Sequence, residues 1–79
     1  MTYQELADRV VVDPRICAGQ PVIRGTRIMI VSILDSLSEG MTAEQIIEHF
    51  PRLTPDDIRG AVAFASKITK QHHPEPVEV

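Results

Sequence analysis

The stretch that decides the fold is Thr42-Ala43-Glu44-Gln45-Ile46-Ile47-Glu48-His49-Phe50-Pro51-Arg52-Leu53-Thr54-Pro55-Asp56-Asp57-Ile58. It opens with a capping box: the Thr42 hydroxyl can accept from the Gln45 backbone N–H while the Gln45 side chain reaches back to Thr42. Ala43, Ile46, Ile47 and Phe50 then recur with helical spacing, and Pro51 stops the helix. A second start follows at once. Thr54 is an N-cap, Pro55 occupies the first helical position, and Asp56 and Asp57 lie at the positive end of the helix dipole. Two helices joined by Pro51-Arg52-Leu53-Thr54 have the link length of a helix-turn-helix unit. That unit docks on DNA in many proteins, and it is also a common way to pack any small helical domain.

Upstream, Ile30, Ile33, Leu34 and Leu37 fall at i, i+3, i+4 and i+7, with Ser32, Asp35, Ser36 and Glu39 on the other face, and Gly40 suits a left-handed C-terminal position. Before them the period is that of strands. Arg9-Val10-Val11-Val12-Asp13 is β-branched and stops at Pro14. Val22-Ile23-Arg24 and Arg27-Ile28-Met29 flank Gly25-Thr26, a pair suited to a type II′ hairpin turn. Such short strands need a helix beneath them or a second subunit beside them. Tyr3 to Ala7 offers a short helical lead-in with no cap evident at either end. Downstream, the third helix is expected from Pro55 to about Lys70, and residues 71–79, with Pro74 and Pro76, read as a flexible tail.

The fold expected is therefore mainly α. A short N-terminal β element, a strand plus a small hairpin, precedes a three-helix bundle of helix-turn-helix type, homeodomain-like or winged. One domain spans residues 1–70, which suits a chain of 79 residues.

Helical projection of the third helix places Ile58, Ala61, Val62, Ala65 and Ile68 on an inner side with Phe64 at its border. Arg59, Ala63, Ser66, Lys67 and Lys70 fall opposite. That outer face is able to lie in a major groove, with Arg59 reaching a guanine edge or a phosphate and Arg52 in the turn meeting the backbone. Arg24 and Arg27 flank the Gly-Thr turn, where they suit a phosphate clamp or a wing contact, or else ion pairs with Asp13 and Glu39. The candidate DNA-binding set is thus Arg24, Arg27, Arg52, Arg59, Ser66, Lys67 and Lys70. The alternative is an ordinary solvated helix face, which Asp56 and Asp57 favour because two carboxylates repel phosphate. Gly60, inside the helix, suits a close contact with another helix or backbone, within the chain or across a dimer axis, or else is simply tolerated at a surface position.

The chain as a whole carries 8 basic and 11 acidic side chains, a net charge of −3, so attraction to nucleic acid must be local rather than general. Aromatics make up 4% of the chain, too few for a base-stacking sheet. The one cysteine, Cys17, excludes an internal disulfide, and the residues MTYQELADRV lack the pattern of a signal peptide. The longest apolar run, Ile28 to Ile33 interrupted by Ser32, is too short to span a bilayer. A cytoplasmic setting is expected. His49, His72 and His73 form no ligand set, there is no phosphate-binding glycine loop, and no catalytic, metal or cofactor site is read.

Three segments together resemble a known bacterial family. Gly19-Gln20-Pro21-Val22-Ile23-Arg24-Gly25-Thr26-Arg27-Ile28 fits the pattern G-x-P-x-I-x-G-T-R-I. Gly40-Met41-Thr42-Ala43-Glu44-Gln45-Ile46 fits G-[MS]-T-x-E-x-I, and Phe50-Pro51-Arg52-Leu53-Thr54-Pro55-Asp56-Asp57-Ile58 fits [YF]-P-x-L-T-x-x-D-I. The chain, over roughly residues 9–66, resembles domain of unknown function 433. That resemblance implies a small, homodimeric helix-turn-helix protein that neutralises a PIN-like ribonuclease toxin as an antitoxin and binds its own promoter DNA. It implies no catalytic residue. A module that binds the nuclease without binding DNA is the alternative.

Overall fold

The computed structural model describes residues 1–71. The sequence-expected tail from His72 onward, with the pair His72-His73, lies outside the described residues. Four helices and a two-stranded antiparallel ribbon follow one another: α1 (Tyr3–Ala7), β1 (Val10–Val11), β2 (Val22–Ile23), α2 (Ile30–Ser38), α3 (Ala43–His49) and α4 (Pro55–Gln71). This is the mainly α bundle with a short β element that the sequence implies.

The three larger helices begin and end where their local chemistry dictates. In α2 the Gly40 N–H donates to the Leu37 carbonyl and the Met41 N–H to the Ser36 carbonyl, both at 3.0 Å, with Gly40 at φ 93°. That is a Schellman termination, and only glycine adopts it without strain. The Thr42 capping box on α3 is formed in both directions, at 3.2 Å and 2.8 Å. Thr54 caps α4 by accepting from the Asp57 N–H at 3.2 Å, and Asp57 answers by accepting from the Thr54 N–H at 2.9 Å. The lead-in α1 is capped after all: Thr2 and Glu5 form a capping box of their own.

The β element differs from the hairpin that the sequence suggests. Val10 pairs with Ile23 and Val11 with Val22, so the ribbon joins β1 to β2 across the loop between them. The expected second arm, Arg27 to Met29, contributes a single bridge, Val22 to Met29. The turn is also shifted by one residue. The Thr26 N–H donates to the Ile23 carbonyl at 3.0 Å, which makes Gly25, at φ 78°, the third residue of a turn Ile23–Thr26. Positive φ at that position belongs to a type II turn rather than II′. Between the strands, Cys17, Ala18 and Gly19 all have positive φ, at 50°, 55° and 81°.

The core lies where α2, α3 and α4 meet the ribbon. Ile33 and Ile46 are fully buried, and Ile23, Leu53, Ile58 and Ala61 close around them. Each large aliphatic side chain sealed there contributes about 1.5–3 kcal/mol. Among the described residues no helix is long and apolar enough to cross a membrane.

Candidate functional site

The long helix α4 organises the apolar surfaces, and its two flanks are not as helical projection alone orders them. Ala63, expected outside, is buried, whereas Val62, expected inside, is 46% exposed. Ile68 is also exposed. The cause is α1, which lies on the flank carrying Gly60 and Ala63. A Cβ at Gly60 would stand 2.6 Å from the Leu6 carbonyl oxygen and 3.1 Å from the Arg9 Cβ, so α1 seats there only because residue 60 has no side chain. The close contact expected of Gly60 is therefore made within the chain.

Two polar contacts hold this flank. Arg9 Nη1 donates to Asp57 Oδ1 at 2.9 Å, with side chains 31% and 12% exposed. Asp57 thus caps α4 and anchors the segment after α1 at once. At the far end, the Lys70 ammonium lies 4.6 Å from the centroid of the Tyr3 ring, a cation–π distance. Neither Arg9 nor Asp57 stands out in the sequence as a pair, because 48 residues separate them.

The sequence-expected binding residues are scattered over four places. Lys67 and Lys70 belong to the second half of α4, Lys67 half-buried and Lys70 against α1. Arg24 donates through Nη2 to the Asp8 carbonyl at 2.6 Å and lines a cleft of about 430 Å³ with Met1, Glu5, Asp8, Arg9 and Asp57. There the two arginines face three carboxylates, so the cleft is not basic. The expected pairing of Arg24 or Arg27 with Asp13 or Glu39 is not formed: Asp13 pairs with Arg15 at 3.0 Å, and that guanidinium holds the Asp13 carboxyl below its usual range. Arg27 and Arg52 are brought together in a second cleft.

Arg59 and Ser66 remain on the open flank of α4. Arg59 pairs with Asp56 at 3.1 Å while its side chain stays 69% exposed. Around them the surface is apolar rather than basic. Tyr3, Leu6, Leu37, Ile58, Val62 and Ala63 join Arg59 and Ser66 in a groove of about 420 Å³ that runs between α1 and α2 over α4. On the other side of α2, Val31, Leu34, Phe64 and Ile68 line a second apolar groove of about 340 Å³. Sequence reasoning misses both grooves, because Val62 and Ile68 fit the inner stripe by spacing. Where α1 and α2 pack along α4 decides which apolar positions stay open. Among the described residues no cluster of His, Cys, Asp and Glu is arranged to hold a metal ion.

Comparison with known proteins fits this architecture. Over 52 residues the chain is 36% identical to the uncharacterized protein y4eO of Sinorhizobium fredii, a match covering 66% of this chain and 24% of that one. The chain thus spans about a quarter of the length of that relative. A crystal structure of a DUF433 member protein from Anabaena variabilis superposes with a TM-score of 0.73 at 26% identity, covering 86% of this chain and 67% of that one. The family model described as a protein of unknown function, DUF433, matches residues 10–65, which take in the ribbon, α2, α3 and most of α4, and the chain belongs to that family.

Proposed function

We propose that the chain is an antitoxin-like interaction module that binds a partner protein through the open flank of α4, the partner being the PIN-like ribonuclease that the family resemblance implies. The observation that carries this reading is the apolar groove over α4, lined by Val62, which is 46% exposed. A small domain that has already buried Ile33, Ile46 and Ala61 gains nothing by leaving valine and tyrosine in water, unless another surface covers them. Interfaces are typically apolar at the centre and polar at the rim. Here Arg59 and Ser66 supply the rim. The net charge of −3 supports a protein partner over a polyanion. The module acts in the cytoplasm, where a single thiol such as Cys17 stays reduced.

A second reading, binding of promoter DNA by a homodimer through the same helix, is favoured by one observation: Arg59, on the second helix of the α3–α4 pair, keeps its guanidinium largely exposed. The test that separates the two is capture of the tagged full chain from its own host at moderate salt, with bound proteins identified and bound DNA sequenced. A co-eluting PIN-like nuclease without upstream DNA is the expected result. Upstream DNA without a nuclease overturns it in favour of the second reading, and Arg59→Glu with Lys67→Glu must then abolish the DNA binding.

A further inference from the structure

The turn Ile23–Thr26 and the link between α3 and α4 meet at a cleft of about 320 Å³ lined by Ile16, Gly25, Thr26, Arg27 and Arg52. Two of these residues carry guanidinium groups and none is acidic. In a chain of net charge −3 this is a local reversal, and it contrasts with the cleft beside α1, where Glu5, Asp8 and Asp57 offset Arg9 and Arg24.

The two arginines are held differently. Arg52 Nη2 donates to the Gly25 carbonyl at 2.9 Å, a contact between residues 27 apart that fixes the guanidinium over the turn. A guanidinium has five N–H donors in one plane, so that bond leaves others for a ligand. Arg27 is exposed and forms no ion pair among the described residues. Its backbone is nonetheless set. The Thr26 hydroxyl donates to the Ile23 carbonyl at 2.7 Å and accepts from the Ile28 N–H at 3.0 Å, while the Cys17 thiol donates to the Arg27 carbonyl at 3.5 Å. Among the described residues neither the Gly25 nor the Arg27 backbone N–H finds a protein acceptor. Half-buried Ile16 forms an apolar wall.

We infer that this cleft binds a phosphate group, with Arg27 and Arg52 as its two guanidinium donors. Planar guanidinium groups pair with phosphate through paired N–H bonds. Two of them from separate segments, with backbone N–H groups at the turn, offer more donors than the two oxygens of a carboxylate can use. The phosphate is either a free or monoester group or a diester of a nucleic-acid backbone. Neither functional reading above is required for the site, since it is built from other residues than the groove over α4.

The experiment is a titration of the full chain followed by amide and arginine side-chain NMR at constant ionic strength, with inorganic phosphate replacing chloride. Saturable shifts confined to Gly25, Thr26, Arg27 and Arg52 are expected, weakened about tenfold for each guanidinium removed in Arg27→Gln and Arg27→Gln/Arg52→Gln. Arg27→Gln leaves the Arg52 contact with Gly25 in place, so it reports on the site even if the double variant is less stable. Arg24→Gln, outside the cleft, leaves the shifts unchanged. A parallel arm uses a short oligothymidylate, which has only diester phosphates. Binding of both probes assigns a backbone diester site, and binding of inorganic phosphate alone assigns a free or monoester site. Absence of saturable shifts with either probe, or shifts that persist undiminished in Arg27→Gln, would overturn the inference.

Discussion

The two flanks of α4 are built from similar residues and end in opposite states. One carries Gly60 and is sealed by α1, with Ala63 at its border with the groove. The other carries Val62 and Ser66 and is open. By size the order is inverted, since the smaller side chains are inside and valine is out. Hydrophobicity alone would not leave valine exposed while sealing glycine. What seals a flank is how closely a second backbone can approach, and Gly60 allows the Leu6 carbonyl to come within 2.6 Å of where a Cβ would be. The open flank keeps its larger apolar surface because, among the described residues, no element covers it. That asymmetry separates a surface used for folding from one available to a partner.

The sealed flank breaks most severely at Asp57. Asp57→Ala removes the carboxylate that accepts from the Thr54 N–H and leaves the Arg9 guanidinium, 31% exposed, with only the more distant Asp56 at 3.9 Å. Losing the Thr54 acceptor costs about 1 kcal/mol and breaking a part-buried charged hydrogen bond about 2 kcal/mol, so a loss of about 3 kcal/mol is expected in denaturant unfolding. A loss under about 1 kcal/mol would mean that α1 and β1 are not anchored through this carboxylate. Gly60→Ala comes next. An exposed helix site gains about 1 kcal/mol from this change, but overpacking against a backbone oxygen costs about 1–3 kcal/mol. The expected outcome is a net loss, with amide exchange rising in residues 3–7. A more stable variant would show that α1 does not rest on Gly60.

The contrast between the flanks was only half legible in the sequence. Caps at Thr42 and Thr54, the Gly40 termination and the apolar spacing of α2 and α3 are signals within four or five residues, and each formed as read. The contacts that order the surface join residues far apart: Arg9 with Asp57, Tyr3 with Lys70, Arg52 with Gly25. No periodicity encodes these. Gly60 was the one local hint, a costly residue in a helix interior whose cost makes sense only with α1 in place. The turn at Gly25 slipped by one residue for a related reason, because Gly-X and X-Gly turns are equally good locally and the pairing of β2 with β1 chooses between them. Lys67 and Lys70 illustrate the same limit for function. Spacing puts them on an outer face, but not that α1 would occupy its edge.

Smaller effects sharpen the comparison. Tyr3→Ala removes the ring beneath Lys70, worth about 0.5–1 kcal/mol at an exposed site. It should lower the midpoint slightly and mobilise α1 without altering α2 or α3, which hydrogen exchange resolves. Val62→Glu, on the open flank, should leave the unfolding free energy within about 0.5 kcal/mol of the parent. A large loss there would mean that Val62 is part of the folding core after all.

That last variant also gives the most direct measurement of what the open flank is for. Tagged full-length chain and its Val62→Glu form, shown by circular dichroism to be equally folded, are captured side by side from the host. The parent should bring down a small PIN-like nuclease and the variant should not. Equal capture by both forms would contradict the assignment of the groove over α4 as the partner surface.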